Sequence, residues 1–254
     1  MLASSSSGNS TFVATDRTRI LVDVGLSRKD TLARLAAIDE DVEKLDAILI
    51  THEHSDHVCG LVTLARNRER PIPIHMTRQT ADSMPWGDFT PALDSFAAGT
   101  SFTVGDIEVS SFTVPHDAID PVGFCFRANG VKIGVVTDLG YITDSIRVHL
   151  KDTDLLLLES NHDLEMLRVG PYPWSVKQRV MSRKGHLSNE AACDFIRRDL
   201  ELRVSTLILG HLSEHNNHPA RVYAEAEGAL QTRALFRPRL VVAEPGKLTE
   251  VFTY

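Results

Sequence analysis

The stretch Ala47-Ile48-Leu49-Ile50-Thr51-His52-Glu53-His54-Ser55-Asp56-His57 joins a short apolar run to three imidazoles and a carboxylate. The apolar run predicts a buried strand. The residues after it form an H-x-H-x-D-H pattern at the carboxyl end of that strand, where α/β folds place their ligands. A loop of solvated histidines is the alternative interpretation, but this spacing of residue types rarely arises by chance. The stretch therefore predicts a metal site.

The spacing within the motif indicates more than one ion. Residues two apart in extended backbone point the same way, so His52 and His54 can hold one cation together. A turn then brings Asp56 and His57 round from the start of the next helix, facing a neighbouring position. Two pairs of ligands that face different ways predict two cations.

Composition describes an ordinary soluble globule. The chain has 254 residues, of which 43% are hydrophobic and 24% charged, enough for a sizeable core. No apolar stretch reaches the roughly 18–20 residues that a membrane span needs, and the N-terminus lacks the layout of a signal peptide. The three cysteines are widely separated and form no C-x-x-C, which argues against a disulfide framework. We therefore expect a cytoplasmic protein without a membrane partner.

Strand and helix patterns alternate along most of the chain. Strands are predicted at Ile20–Gly25, Ala47–Ile50, Ile72–His75, Ser101–Val104, Glu108–Val114, Val122–Ala128, Val131–Thr137, Leu155–Leu158 and Thr206–Leu209, with Val241–Val242 and Leu248–Phe252 closing an edge. Helices are predicted at Arg28–Ile38, Val58–Arg66, Ser188–Asp199 and Arg221–Ala234, and residues 77–100 are expected to be irregular. Two α/β halves around a β-rich middle predict one four-layer αββα domain over residues 1–254.

Polar residues recur just after predicted strands. His116, Asp138 and His211 each follow an apolar run. Singly, a strand-end Asp often caps a turn, and a strand-end His often bonds a backbone carbonyl. Together with the H-x-H-x-D-H pattern, the three positions predict a shared metal site.

With these residues, the sequence resembles the metallo-β-lactamase fold family, and more narrowly its YycJ/WalJ-like branch. The matching segments are ASSSSGNS at 3–10, THEHSDH at 51–57, PHDAIDP at 115–121, TDLG at 137–140, ESNHDLEMLRVGPYPWSVKQR at 159–179, GHLSNEAA at 185–192 and GHLSEHNN at 210–217. The likeness covers nearly the whole chain and weakens after about residue 220. The family usually carries a few more residues before the Ser-rich loop, so we expect the leading strand to be missing or truncated.

The resemblance implies a role for each candidate ligand. His52, His54 and His116 would bind one ion, Asp56, His57 and His211 the other, and Asp138 would bridge them. Mixed nitrogen and oxygen ligation of this kind suits Zn²⁺ or Mn²⁺ and does not choose between them. No nucleotide cofactor is expected.

The resemblance also implies the catalytic groups. Two divalent ions would lower the pKa of a shared water and neutralise charge on a phosphoryl oxygen. His186 resembles the histidine that phosphodiesterases of this fold use as general acid, although a helix-start His can also bond the chain locally. Glu159 and Asp23 could orient His186 or a metal-bound His, or could cap turns. With His186, Asp56 and Glu159 complete the catalytic candidates, and His162 is expected near the site.

A basic segment indicates the substrate. Residues 177–184 carry four positive charges and no negative one, close after two aromatic residues; they are Lys177, Arg179, Arg183 and Lys184, with Tyr172 and Trp174. Such a segment suits a nucleic-acid strand, although a solvated helix face is the alternative. The net charge of −7 disfavours general polyanion binding but leaves a local basic patch open. The Ser4–Ser10 loop could also contact phosphate.

With the resemblance, these features predict a dinuclear metal-dependent phosphodiesterase with DNA as its substrate, an exonuclease of the 5′–3′ type. A phosphodiesterase of a small molecule such as a cyclic ribose phosphate is the first alternative. A non-catalytic metal-binding regulatory protein is the second, and the full ligand set argues against it. A β-lactam hydrolase would need no basic strand-binding face. The oligomeric state is not predicted.

Overall fold

Two β-sheets lie at the centre of the fold. The computed structural model describes residues 1–66, 70–233 and 237–254. The first sheet contains, in spatial order, β1 (Thr11–Ala14), β2 (Arg19–Val22), β3 (Ala47–Leu49), β4 (Ile74–Thr77) and β5 (Leu93–Phe96). The second contains, also in spatial order, β6 (Ser101–Val104), β7 (Ile107–Thr113), β8 (Val122–Ala128), β9 (Val131–Val136), β10 (Leu155–Glu159), β11 (Thr206–Gly210) and β12 (Arg239–Val242).

Helices cover the outer faces of both sheets. They are α1 (Arg28–Ala36), α2 (Ser55–Val58), α3 (Leu61–Ala65), α4 (Arg78–Ser83), α5 (Asp144–His149), α6 (Leu164–Val169), α7 (Trp174–Val180), α8 (Asn189–Arg198) and α9 (Pro219–Gln231). One apolar cluster lies between the two sheets, a second lies under α1, α3 and α4, and a third lies under α5, α8 and α9. The predicted four-layer αββα fold is confirmed.

Parallel and antiparallel strands occupy different parts of the two sheets. From β2 to β5 the first sheet is parallel, and from β9 to β12 the second is parallel too. Strands of this kind are covered on both faces, which explains the unbroken apolar run Leu155–Leu158. The strands from β6 to β9 are antiparallel, and a turn at Asn129-Gly130 joins β8 to β9 with positive φ at both residues.

Several predicted elements differ from the structure. Residues 77–100 are not wholly irregular, because they contain α4 and β5; β5 is an exposed edge strand without an apolar pattern. Leu248–Phe252 forms no strand. The predicted helix Val58–Arg66 is broken into α2 and α3 at Gly60, where a Cβ would lie 2.0 Å from the carbonyl oxygen of Leu26.

The helix predicted at Arg221–Ala234 is α9, and Ala234 lies outside the described residues. Next to the Ser-rich loop, Ala3 pairs with Ser10 in an isolated bridge, and β1 forms the antiparallel edge of the first sheet. No helix in the described part of the chain is long and apolar enough to cross a membrane.

Candidate metal centre

The predicted site residues gather at one edge of the sandwich, because they follow the carboxyl ends of its parallel strands. Asp23 follows β2, Asp138 follows β9, Glu159 ends β10 and His211 follows β11. Asp23, Asp138 and His211 have φ values of 60°, 59° and 57°. This left-handed conformation is uncommon for residues other than Gly, and it is found where the surrounding structure holds a functional turn.

A first cluster consists of three imidazoles. One ring nitrogen each of His52, His54 and His116 lies within 4.8 Å of the other two. The Nδ1 atom of His52 lies 3.0 Å from the Thr51 hydroxyl, and the Nδ1 atom of His116 lies 3.1 Å from the Gly185 carbonyl oxygen. These contacts turn both Nε2 atoms toward the cluster: His52 Nε2 is buried without a hydrogen-bond partner, and His116 Nε2 lies 3.2 Å from His54 Nδ1. Converging ring nitrogens are the ligand atoms that a cation needs.

A second cluster combines imidazoles with carboxylates. His57 Nε2 lies 3.4 Å from Asp56 Oδ2 and 3.3 Å from Asp138 Oδ2. His211 Nε2 lies 3.5 Å from Asp56 Oδ2 and 3.5 Å from Asp138 Oδ1. Asp138 Oδ1 is also 3.8 Å from His116 Nε2, so Asp138 lies between the two clusters. The structure thus brings together all seven candidate ligands, which are His52, His54, Asp56, His57, His116, Asp138 and His211.

Two buried carboxylates, Asp23 and Glu159, bond the Nδ1 atoms of three histidines. Asp23 Oδ2 lies 2.8 Å from His57 Nδ1, and its other oxygen accepts a hydrogen bond from the Thr51 amide. Glu159 Oε1 lies 2.8 Å from the Nδ1 atom of His186 and 2.7 Å from the Nδ1 atom of His211. A carboxylate on Nδ1 fixes the tautomer and leaves Nε2 as the ligand or donor atom. Asp23 and Glu159 were expected either to orient histidines or to cap turns. The structure contains the contacts to histidine Nδ1 atoms that orient the rings.

The clusters differ in charge. Burial lowers the pKa of His52 well below its ordinary value and lowers that of His116, so these rings are neutral. Burial also opposes protonation of His211, but Asp138, Asp56 and Glu159 outweigh it and raise its pKa to about 10. Asp138 and Asp23 likewise raise the pKa of His57 well above its ordinary value, against burial. In the second cluster, protons on His57 and His211 balance the negative charge of the carboxylates. A bound divalent metal would supply that positive charge instead, and the mixed nitrogen and oxygen ligands suit such an ion.

The sequence interpretation missed Asn9, which supports the second cluster. Its amide nitrogen lies 3.2 Å from Asp56 Oδ2 and 3.1 Å from His57 Nε2. Asn9 belongs to the Ser-rich segment, where Ser4 Oγ also accepts a hydrogen bond from the His211 amide. This loop packs against the ligands. Position 25 must be glycine, because a Cβ there would lie 1.7 Å from the Asp56 carbonyl oxygen and 2.5 Å from the Asn9 amide nitrogen.

The basic segment does not act as one face. Lys177 is buried, and its Nζ donates to the Arg168 carbonyl oxygen at 2.8 Å, so it is unavailable to a nucleic acid. The ring of Tyr172 meets His215 edge to face. Trp174, by contrast, is 61% exposed. The prediction of four free cations is therefore wrong for Lys177, because the turns of α7 point it inward.

His162 lies near the site, as expected. It is buried, and neither ring nitrogen has a hydrogen-bond partner. Burial lowers the pKa of His162 to about 4, with Glu159 and His186 close enough to influence it.

A cluster of three imidazoles and a cluster of imidazoles and carboxylates, with an aspartate between them at one edge of an αββα sandwich, are typical of a metal-dependent hydrolase. The family described as "Beta-lactamase superfamily domain" matches residues 18–212. The chain belongs to this superfamily, which confirms the resemblance seen in its motifs.

The chain is also similar to two named relatives in sequence and to a solved structure in fold. The chain is 41% identical over 222 residues to exodeoxyribonuclease WalJ of Streptococcus pneumoniae, covering 85% of this chain and 82% of the relative. It is 40% identical over 220 residues to exodeoxyribonuclease YycJ of Bacillus anthracis, covering 85% and 83%. The metallo-β-lactamase fold protein YhfI of Bacillus subtilis shares the fold, with a TM-score of 0.74 at 19% identity over 98% of this chain and 96% of that one.

Proposed function

We propose that the chain is a two-metal phosphodiesterase that removes nucleotides from a DNA end in the 5′–3′ direction. One observation carries the reaction: His186 and the candidate ligand His211 are held on the same oxygen of Glu159, beside two clusters with Asp138 between them. This arrangement sets a proton donor beside a metal pair. The names of the relatives, both exodeoxyribonucleases, support DNA as the substrate.

The ligands divide as the clusters do. His52, His54 and His116 would hold one divalent ion, and Asp56, His57 and His211 the other, with Asp138 between them. Zn²⁺ and Mn²⁺ both suit these donors. When bound, such ions supply an activated water and neutralise charge on a phosphoryl oxygen. The chain's own part is to orient the rings. Asp23 meets the Nδ1 atom of His57 and Glu159 that of His211, while the Gly185 carbonyl meets Nδ1 of His116 and the Thr51 hydroxyl meets Nδ1 of His52.

His186 is the proposed general acid. Its Nδ1 is bonded to Glu159, which leaves Nε2 to donate a proton to the departing oxygen. The side chain of His186 is 19% exposed while Glu159 is fully buried, so the ring alone can reach a substrate. Burial opposes ionisation of Glu159, but His186 and His211 outweigh it and lower its pKa to about 2. Glu159 therefore stays charged and accepts the hydrogen bond of the Nδ1–H group of His186.

A polymer substrate is favoured over a small phosphodiester by the rim of the site. Arg179 and Arg183 lie there, on the segment that leads into His186, despite the net charge of −7. A cytoplasmic location, where DNA is accessible, is part of this proposal.

The direct test is cleavage of end-labelled DNA by Zn²⁺- or Mn²⁺-loaded protein. Single strands and duplexes should lose a 5′ label as the first product, whereas a 3′ label should pass through progressively shorter fragments. Asp106→Asn is a matched control, because Asp106 bonds Thr18 at the start of β2, opposite to the end that carries Asp23. Turnover of a cyclic ribose phosphate without DNA cleavage would favour the small-molecule alternative, and metal loading without turnover of either would favour a regulatory protein.

A further inference from the structure

An arginine on the rim is tied to the first imidazole cluster. Asp117 follows His116 directly, and its Oδ2 accepts a hydrogen bond from Arg179 Nε. The other oxygen, Asp117 Oδ1, is buried without a hydrogen-bond partner, 3.4 Å from His116 Nε2. Asp117 therefore stands between the cluster and Arg179, and it fixes the guanidinium beside the site.

The contact with Asp117 uses only one edge of the guanidinium. The Nε atom of Arg179 donates to Asp117, which leaves the end of the guanidinium, formed by its two Nη groups, for another partner. The Arg179 side chain is 60% exposed. An exposed ion pair of this kind adds little to folding stability, so the pair is better explained by what the free edge can bind. The geometry of that edge suits a phosphate.

A second arginine, Arg183, follows Arg179 on the segment that leads into His186. The guanidinium of Arg183 lies over the ring of Tyr141, 4.2 Å from its centre. Gly140, before Tyr141, donates a hydrogen bond to Pro115, and a Cβ on Gly140 would lie 2.4 Å from the Arg183 carbonyl carbon. The loops that carry Asp117 and Tyr141 are thus joined, and each holds one arginine.

We propose that Arg179 and Arg183 form a two-arginine clamp that binds successive phosphates of one DNA strand, with Asp117 and Tyr141 as positioning residues. This inference rests on the proposed function and specifies how its substrate is held. Arginines already ordered before the substrate arrives lose less side-chain entropy on binding than free ones. The clamp gives the acidic chain a local attraction for a polyanion that its overall charge opposes.

Fluorescence anisotropy of a labelled single strand tests the clamp without depending on turnover. Terminal phosphorothioate linkages keep the charge of the strand and slow its cleavage by the metal-loaded protein. Arg179→Ala and Arg183→Ala should each weaken binding by about tenfold and reduce the slope of log affinity against log salt by ~0.7. Arg17→Ala removes another exposed arginine in an ion pair, with Asp106, and it should bind as the wild type does.

A double-mutant cycle separates positioning from general charge. Asp117→Asn should weaken binding in the wild-type background, because it releases Arg179, and should have no further effect in Arg179→Ala. Tighter binding by Asp117→Asn would mean that the carboxylate merely repels DNA, which overturns its positioning role. If the wild type binds and cleaves DNA while both arginine variants match Arg17→Ala, the clamp is wrong and the proposed function stands. If the wild type neither binds nor cleaves DNA, the proposed function fails first.

Discussion

His186 and His211 share a single carboxylate oxygen, since Glu159 Oε1 lies 2.8 Å from one Nδ1 atom and 2.7 Å from the other. The second oxygen of Glu159 accepts hydrogen bonds from the amides of Leu139 and Leu187. Glu159 is thus fully bonded on both sides. One buried group sets the orientation of the proposed acid and of a candidate metal ligand.

Glu159→Gln should damage both functions at once. Glutamine has the same shape, but it removes the charge that holds two Nδ1 protons and sets an NH₂ group against donors. We expect metal affinity to fall by about 10–100-fold, together with kcat. Competition with a chelating dye measures the first and DNA cleavage the second, with the exposed Glu190→Gln as control. Normal metal affinity with low kcat would mean that Glu159 serves His186 alone.

His186→Ala should separate metal binding from proton donation. No candidate ligand is removed, so the metal content should match the wild type, while kcat on DNA should fall by about 10²–10⁴-fold. A nitrophenyl phosphodiester, whose leaving group needs no proton, should show a much smaller loss. Equal losses on both substrates would contradict the assignment of His186 as general acid.

Asp23→Asn should weaken the second cluster. Asparagine tolerates the left-handed backbone at this position, so the substitution tests the charge on His57 Nδ1 and leaves the turn intact. We expect metal affinity to fall by about 10–100-fold. Asp39→Asn is matched, because Asp39 is an exposed aspartate with φ of 59°. Metal content after desalting measures the effect, and full retention in Asp23→Asn would show that this contact is not needed.

Metal loading should release protons. The folded-state pKa of His211 is raised to about 10 and that of His57 well above its ordinary value, so both rings are charged at pH 7 without metal. Ligation requires neutral imidazole, so about two protons should leave per chain and metal affinity should rise with pH. Calorimetric titration at pH 7 in buffers of different ionisation enthalpy counts these protons. No net release would contradict the charged state of the second cluster.

Much of the site could be predicted because strand ends are visible in the sequence. His116, Asp138 and His211 each follow an apolar run, and parallel strands bring such positions to one edge. Contacts between distant segments left no comparable pattern: Asn9 meets Asp56 across 47 positions, and Asp117 meets Arg179 across 62. Lys177 was misassigned because its burial depends on how α7 packs against the end of α6. The exposed strand β5 was missed because it has no apolar alternation.

With Asp138 between the two clusters, we expect DNA cleavage to need both divalent ions. This expectation is tested most directly by measuring the rate of nucleotide release from 5′-labelled DNA as Mn²⁺ or Zn²⁺ is added to metal-free protein, with the bound metal counted in each sample. We expect little release up to one ion per chain and a rise to full rate as the second ion is bound. Full activity at one ion per chain, or no release at two, would contradict this expectation.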